Sequence, residues 1–255
     1  MRQYFLAFPA LSIGLASCTV YAPMQCAAPN IRDRGEVEVA ATLNANFRAE
    51  GAVTYSPVKH VLVRAAGGFR NGFPDDTDLD TTFFRVRQFE AAAGGYYCPT
   101  ERLVLGGLGG YGRAHNQRGF IESNSLLGTP LSSAERWRMY DARYHTLFGE
   151  LFGVFQGRIV GGGGALRISG VQFDELTNRG EPVELSSMLR IEPMGFVRFD
   201  PTTKVGHFLQ LQVSAGTSWT SDNGPQGDAY AENVREGNLK VAATLLLYPH
   251  RLWQK

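Results

Sequence analysis

A strict alternation of apolar and polar residues over long stretches constrains the fold of this chain more than any other feature. In residues 37–47 the odd-numbered positions are all apolar, and most even-numbered positions are polar. The same period of two returns in residues 188–199 and 208–219. Successive side chains of a strand point to opposite faces, so each stretch predicts a β-strand with one apolar and one polar face. Less regular alternation predicts further strands within residues 61–69, 83–97, 103–114, 142–155, 158–173 and 240–248.

The connections between these segments alternate in length. Tight turns fall at 56–59, 99–101, 156–157 and 201–203, and longer polar connections at 71–80, 115–141, 176–186 and 221–236. Short turns at one end and long loops at the other are typical of bacterial outer-membrane barrels, which have an even number of strands. The pattern therefore predicts an all-β domain over residues 35–255, an antiparallel up-and-down barrel of about ten strands with both termini at the short-turn end.

The predicted polar faces carry charges of both signs in the middle of strands. A narrow barrel lumen accommodates such side chains as a paired, hydrated network, whereas an apolar core does not. Alternation alone leaves a soluble barrel open, but several segments have the roughly 9–11 residues that a tilted strand needs to cross a bilayer. The residues predicted to form this lumen network are Glu38, Arg64, Arg85, Arg87, Glu90, Glu150, Arg167, Arg190, Glu192 and Arg198.

The N-terminus carries an export signal. Arg2 precedes a short apolar run that ends in Leu15-Ala16-Ser17-Cys18. A basic start and small residues at the end of such a run predict a secretory signal peptide at residues 1–17. The ending Leu15-Ala16-Ser17-Cys18 resembles the lipobox of bacterial lipoproteins, and this resemblance implies that Cys18 is lipidated and becomes the mature N-terminus.

Residues 18–34 contain prolines and have no period, so we predict a lipidated tether. The residues after Cys18 lack the acidic cluster of some surface-export signals, which favours a periplasmic N-terminus. With the strand layout, the chain resembles small outer-membrane barrels that carry an N-terminal lipid. The resemblance implies localisation in the cell outer membrane, anchored through Cys18.

Two further groups of residues are candidate sites. With Cys18 lipidated, Cys26 and Cys98 remain in an exported chain, and we predict a tentative disulfide between them, with free thiols or a metal pair as the alternatives. Alternate carboxylates at Asp76, Asp78 and Asp80 predict a calcium site in the loop Asp75–Asp80. The alternative interpretation is a solvated acidic loop without a metal ion. No other cofactor is predicted.

Catalysis has little support in the sequence. The five histidines lack the paired spacing of a zinc site; His145, on a strand near Glu150, is the candidate general base, and His115 opens a long loop. We therefore predict no catalytic residue and a non-catalytic outer-membrane lipoprotein with a structural, adhesion or small-ligand-binding role.

Two alternatives to this function stay open. One is a soluble periplasmic lipoprotein whose lipocalin-like barrel binds an apolar ligand, and the other is a lipid or peptide hydrolase at the outer rim. The net charge of +1 gives no case for a nucleic-acid partner. The expected partners of a monomer are membrane lipid and a small ligand or envelope component.

Overall fold

Ten antiparallel strands pair into a closed barrel, as the alternation predicts. The computed structural model describes residues 20–72, 83–121, 137–202, 207–221, 231 and 234–252. Each barrel strand pairs with its neighbour along the chain, and the ring closes where the last strand pairs with the first. The barrel strands are β1 (Val37–Asn44), β2 (Ala49–Tyr55), β3 (Val61–Arg70), β4 (Phe83–Thr100), β5 (Leu103–Ile121), β6 (Trp137–Phe155), β7 (Val160–Asn178), β9 (Ser187–Phe199), β10 (Leu209–Thr220) and β11 (Asn238–Leu247).

Two short elements complete the described chain. The two-residue strand β8 (Glu181–Pro182) pairs with the end of β7, and a 3-10 helix, Pro249–Leu252, follows β11. The prediction of an antiparallel barrel of about ten strands is thus confirmed. None of the helices in the described ranges has the length and apolar character needed to cross a membrane.

The apolar face of the strands points outward. Leu147 and Leu151 on β6 are 70% and 68% exposed, and Leu211 and Val213 on β10 are exposed as well. The side chains between them point into the lumen, where Gln212 is buried. A polar interior and an apolar exterior are the arrangement of a barrel surrounded by hydrocarbon rather than by water.

The strands differ in length around the ring. Strands β4 to β7 have 18 or 19 residues, whereas β1 to β3 have 7 to 10. Near their long-loop ends, β5 to β7 carry charged pairs on the outer face, such as Arg113 with Asp174 at 3.6 Å and Arg143 with Glu175 at 3.2 Å. The long strands therefore extend past the apolar band, and the long-loop rim is tall at β4–β7 and low at β1–β3.

The expected tether lies inside the barrel. Residues 20–31, here called the lumen segment, are all buried. Val20 and Tyr21 pack with Tyr140 and Tyr144 towards the long-loop end, while Ile31 packs in a second apolar cluster towards the short-turn end. The chain thus enters the lumen at the long-loop end. This corrects the prediction that both termini lie at the short-turn end, where only the C-terminal helix is found.

Glycines allow strands to approach closely in the β6–β7 hairpin. We expect Gly163→Ala to destabilise the barrel by about 1–3 kcal/mol, because a Cβ there would lie 2.0 Å from the carbonyl oxygen of Gly153. The midpoint of the heat-induced gel-mobility shift of detergent-solubilised protein measures the effect. Gly149→Ala is the matched control, since a Cβ there meets nothing within 4 Å. Equal midpoints for the two variants would contradict this account of the packing.

Candidate functional site: the threaded lumen

The lumen segment is held at its long-loop end by two polar side chains of the tall strands. Asn116 on β5 donates from Nδ2 to the carbonyl oxygen of Val20 at 3.0 Å. The same amide donates to the hydroxyl of Tyr144 on β6 at 2.8 Å, and that hydroxyl accepts a hydrogen bond from the backbone N–H of Ala22 at 3.4 Å. Buried backbone groups need such partners, because no sheet ladder satisfies them here.

The middle of the segment is held by charged groups of the short strands. Arg48 donates to the carbonyl oxygen of Pro23 at 2.5 Å and also forms an ion pair with Glu50. Glu50 in turn accepts a hydrogen bond from the backbone N–H of Gln25 at 2.8 Å. The Gln25 amide also donates to the hydroxyl of Ser214 on β10 at 2.8 Å. The segment is therefore fixed by strands on either side of the β1–β11 pair.

The short-turn end of the segment is fixed in the same way. Arg198 donates to the carbonyl oxygen of Ala28 at 2.5 Å. The backbone N–H of Asn30 donates to Glu38 at 3.0 Å, and its side-chain amide donates to Gln156 at 2.8 Å. The hydrogen bonds therefore span the lumen from end to end.

A buried ion cluster lies beside the segment. Arg167 on β7 is 1% exposed and donates to Glu150 at 2.7 Å and to Glu90 at 2.9 Å. Arg64 lies 3.7 Å from the other oxygen of Glu90. The guanidinium of Arg167 also lies 4.3 Å from the ring centre of Phe148. Two carboxylates and two guanidinium groups thus share one site in which the charges balance.

Of the ten side chains predicted to form the lumen network, eight are buried inside the barrel: Glu38, Arg64, Glu90, Glu150, Arg167, Arg190, Glu192 and Arg198. They form several groups rather than one. Arg190 donates to the backbone carbonyls of Arg235 and Glu236, and Glu192 lies 3.7 Å from Lys240, a lumen residue that the sequence analysis missed.

Arg85 and Arg87 lie on the outer face of β4, which corrects the prediction for these two residues. Glu90 faces the lumen, and residues an odd number of positions apart on a regular strand face opposite sides. Their charge fits the outer face because this part of β4 belongs to the tall rim.

Polar contacts also close the short-turn end. The hydroxyl of Tyr248 donates to Glu38 at 2.8 Å. In the turn between β9 and β10, Asp200 accepts hydrogen bonds from His207 at 2.7 Å, from Gln210 and from Thr202. Burial acts to raise the pKa of Asp200, but these hydrogen bonds outweigh it and hold the pKa below its usual value. The turn thus carries a stable carboxylate at neutral pH.

The histidines proposed for catalysis lie on the outer face of the tall strands. His145 Nδ1 is 3.1 Å from Asp174 and its Nε2 is 3.2 Å from Gln172, while His115 is 2.9 Å from Asp141. Each therefore has a carboxylate partner. Within the ranges that the structure describes, neither histidine has a serine as hydrogen-bond partner, so the triad that a rim hydrolase needs is not assembled there.

The remaining predicted sites divide between the described and undescribed parts of the chain. Cys26 and Cys98 are free thiols, so the tentative disulfide is not formed. Cys26 is instead part of the lumen segment, and its thiol lies 3.7 Å from the carbonyl oxygen of Glu192. Cys18 and the loop with Asp76, Asp78 and Asp80 lie outside the described residues. The described residues contain no cluster of three or more metal-ligating side chains.

Comparison with known proteins finds similarity in structure alone. No family model and no curated protein matches the chain. The outer membrane protease OmpT from Escherichia coli superposes with a TM-score of 0.49 and 11% identity, over 85% of this chain and 94% of the other. The translocator domain of the autotransporter NalP from Neisseria meningitidis gives 0.41 and 10% identity, over 83% and 86%.

The predicted function needs correction. A non-catalytic structural, adhesion or small-ligand-binding role was inferred from the barrel pattern, but one fold serves proteins of many different roles. The prediction is wrong because the fold does not select such a role. The lumen that would hold a small ligand is filled by residues 20–31, and Leu211 and Val213 face outward, so the lipocalin-like alternative is wrong as well.

The position of the lumen segment can be tested by a disulfide. We expect Met24→Cys and Gly68→Cys to form a bridge on mild oxidation, because a Cβ at Gly68 lies 3.2 Å from the sulfur of Met24. The background carries Cys26→Ala and Cys98→Ala to remove competing thiols. Peptide mass spectrometry identifies the bridge.

The matched control pairs Met24→Cys with Gly67→Cys. Gly67 is the neighbour on the same strand, and its side-chain direction points out of the barrel. Bridging to position 67 as readily as to position 68, or to neither, would contradict the threaded arrangement.

The buried ion cluster predicts a large effect of charge removal. We expect Arg167→Met to lower the free energy of unfolding by about 3–5 kcal/mol, because Glu90 and Glu150 would lose a shared partner inside the lumen. Urea unfolding in detergent micelles measures the change. Arg113→Met, which breaks an exposed ion pair on the outer face, serves as control and should cost no more than about 1 kcal/mol. Similar losses for both would contradict the proposed cluster.

Proposed function

We propose that this protein is an integral outer-membrane barrel that carries its own N-terminal segment across the membrane through its lumen. In this proposal the barrel encloses its own N-terminal segment, and folding places the N-terminus at the cell surface. The observation that carries the proposal is the continuous burial of residues 20–31, hydrogen-bonded from one end of the lumen to the other.

The length of the lumen segment supports crossing. Twelve extended residues reach about 40 Å, and the hydrocarbon core of a bilayer is about 30 Å thick. The apolar outer band and the polar lumen support insertion of the surrounding barrel in the outer membrane. In barrels of this kind short turns face the periplasm and long loops face outward, so the direction of the segment corresponds to an N-terminus at the cell surface.

The same geometry supports a position for the proposed lipid anchor. Cys18 precedes Val20 by two residues, and the two Cα atoms therefore lie at most about 7.6 Å apart. If the signal peptide is cut before Cys18, as its lipobox-like ending predicts, the acylated cysteine emerges at the long-loop end. The proposed localisation is thus the outer membrane with a surface-exposed lipid anchor instead of a periplasmic one. The calcium site in the loop Asp75–Asp80 remains a separate prediction.

The topology can be tested with epitope tags on intact cells. We expect a nine-residue tag between Thr19 and Val20 to bind antibody on intact cells, because this position lies at the outer mouth. The same tag between Pro57 and Val58, in a turn at the opposite end of the barrel, should bind antibody only after permeabilisation. Both proteins must show heat-modifiable mobility, which reports a folded barrel.

Two outcomes would contradict the proposal. Labelling of the second tag and not the first on intact cells would show that the segment runs in the opposite direction across the membrane. Release of a folded, heat-modifiable protein from membranes by carbonate would show that the barrel is not inserted in the membrane. Lipidation is measured separately, since Cys18→Ala should abolish incorporation of labelled palmitate while leaving the barrel folded.

A further inference from the structure

Half of the residues that line a cavity at the long-loop end are cationic residues or asparagines. Its volume is about 180 Å³, and it lies between the lumen segment at Ala22 and Pro23 and the ends of the short strands. Its charged side chains are Arg48, Arg70, Arg118 and Lys240, and none of the described residues that line it is an aspartate or glutamate. Such a lining is complementary to an anion.

Two of these cations already have partners. Arg48 is paired with Glu50, and Lys240 lies 3.7 Å from Glu192. Arg70 differs, because its guanidinium lies 5.3 Å from the ring centre of Phe84 and the described part of the chain offers it neither a carboxylate nor a hydrogen-bond acceptor. The donors of Arg70 are therefore available for a ligand in the cavity.

The position of the cavity indicates which anion it meets. It opens at the low rim, where β1 and β3 have only 8 and 10 residues, about the number needed to cross a bilayer. Their long-loop ends therefore lie at the level of the lipid headgroups. The outward-facing Leu239 and Val241 line one side of the cavity, and Phe47, which is 78% exposed, lies in the adjoining β1–β2 connection. The cavity thus adjoins the lipid-facing surface.

We propose that this cavity binds the phosphate of a lipid headgroup in the outer leaflet, with Arg70 as its principal donor. Guanidinium groups form charge-assisted, often bidentate hydrogen bonds with phosphate, and the amides of Asn46 and Asn238 supply further donors. The assignment to the outer leaflet shares the orientation of the proposed function. Binding itself does not depend on that orientation, so the two can fail separately.

The test measures lipid binding to the purified full-length protein. Phosphatidylglycerol is titrated into protein in a zwitterionic detergent, and native mass spectrometry gives the fraction of barrels that retain lipid. We expect Arg70→Gln to weaken retention about tenfold, as expected for the loss of one charge-assisted interaction. Arg158→Gln is the matched control, because Arg158 is an exposed arginine in the β6–β7 turn at the opposite end of the barrel, and it should bind as the unmodified protein does.

Three outcomes would overturn the proposal. Equal weakening of lipid retention by Arg70→Gln and Arg158→Gln would show that the effect comes from net charge alone. Full displacement of the lipid by millimolar inorganic phosphate, with the same dependence on Arg70, would make free phosphate the ligand. A loss of thermal stability in Arg70→Gln that is as large without lipid as with it would mean that Arg70 pairs within the chain.

Discussion

Every polar backbone group of the lumen segment must find a partner inside the barrel, and the rest of the structure depends on this requirement. The segment makes no sheet ladder, so side chains from the wall supply the partners. This explains why the lumen keeps Arg48, Arg198 and Asn116, whose donors reach main-chain carbonyls of the segment. The polar face of the strands is therefore less a channel lining than a binding surface for a peptide in fixed register.

The sequence predicted the wall of the barrel well and its contents poorly. Alternation is a local signal that follows directly from strand geometry, and it located nine of the ten strands, all but β2. The length of the segments and the charges in the middle of strands then favoured an outward apolar face, which the structure has. The lumen segment has no such period, because its partners are far away in the chain: Asn116 lies 96 positions from Val20 and Ser214 lies 189 positions from Gln25. The small residues and prolines of this segment, which suggested a tether, are those of an extended chain that fits a narrow lumen.

Closure of the barrel fixes the order of assembly. Strands β1 and β11 are joined by a continuous register from Val39 with Leu247 to Asn44 with Ala242, so the ring has no open seam in the described structure. A chain cannot be threaded through a lumen that is already packed with side chains. We infer that the segment lies against the wall before β1 meets β11. The segment lies directly before β1 in the chain, so it is already beside this strand when β1 pairs with β11.

The uneven rim leaves one side of the lumen mouth open towards the membrane. Asn116, which holds Val20, occupies the same row of paired residues as Val86 and Arg70, the last residue of β3. Val20 is therefore held below the long-loop end of β5, which continues to Ile121, rather than at the top of the tall strands. The tall strands β4 to β7 block the side of the lumen mouth against which Val20 packs, so the opening towards the outer leaflet lies across the mouth, over the short strands. The low rim and the cationic cavity thus lie on one side of the barrel, where a single patch of lipid can meet both.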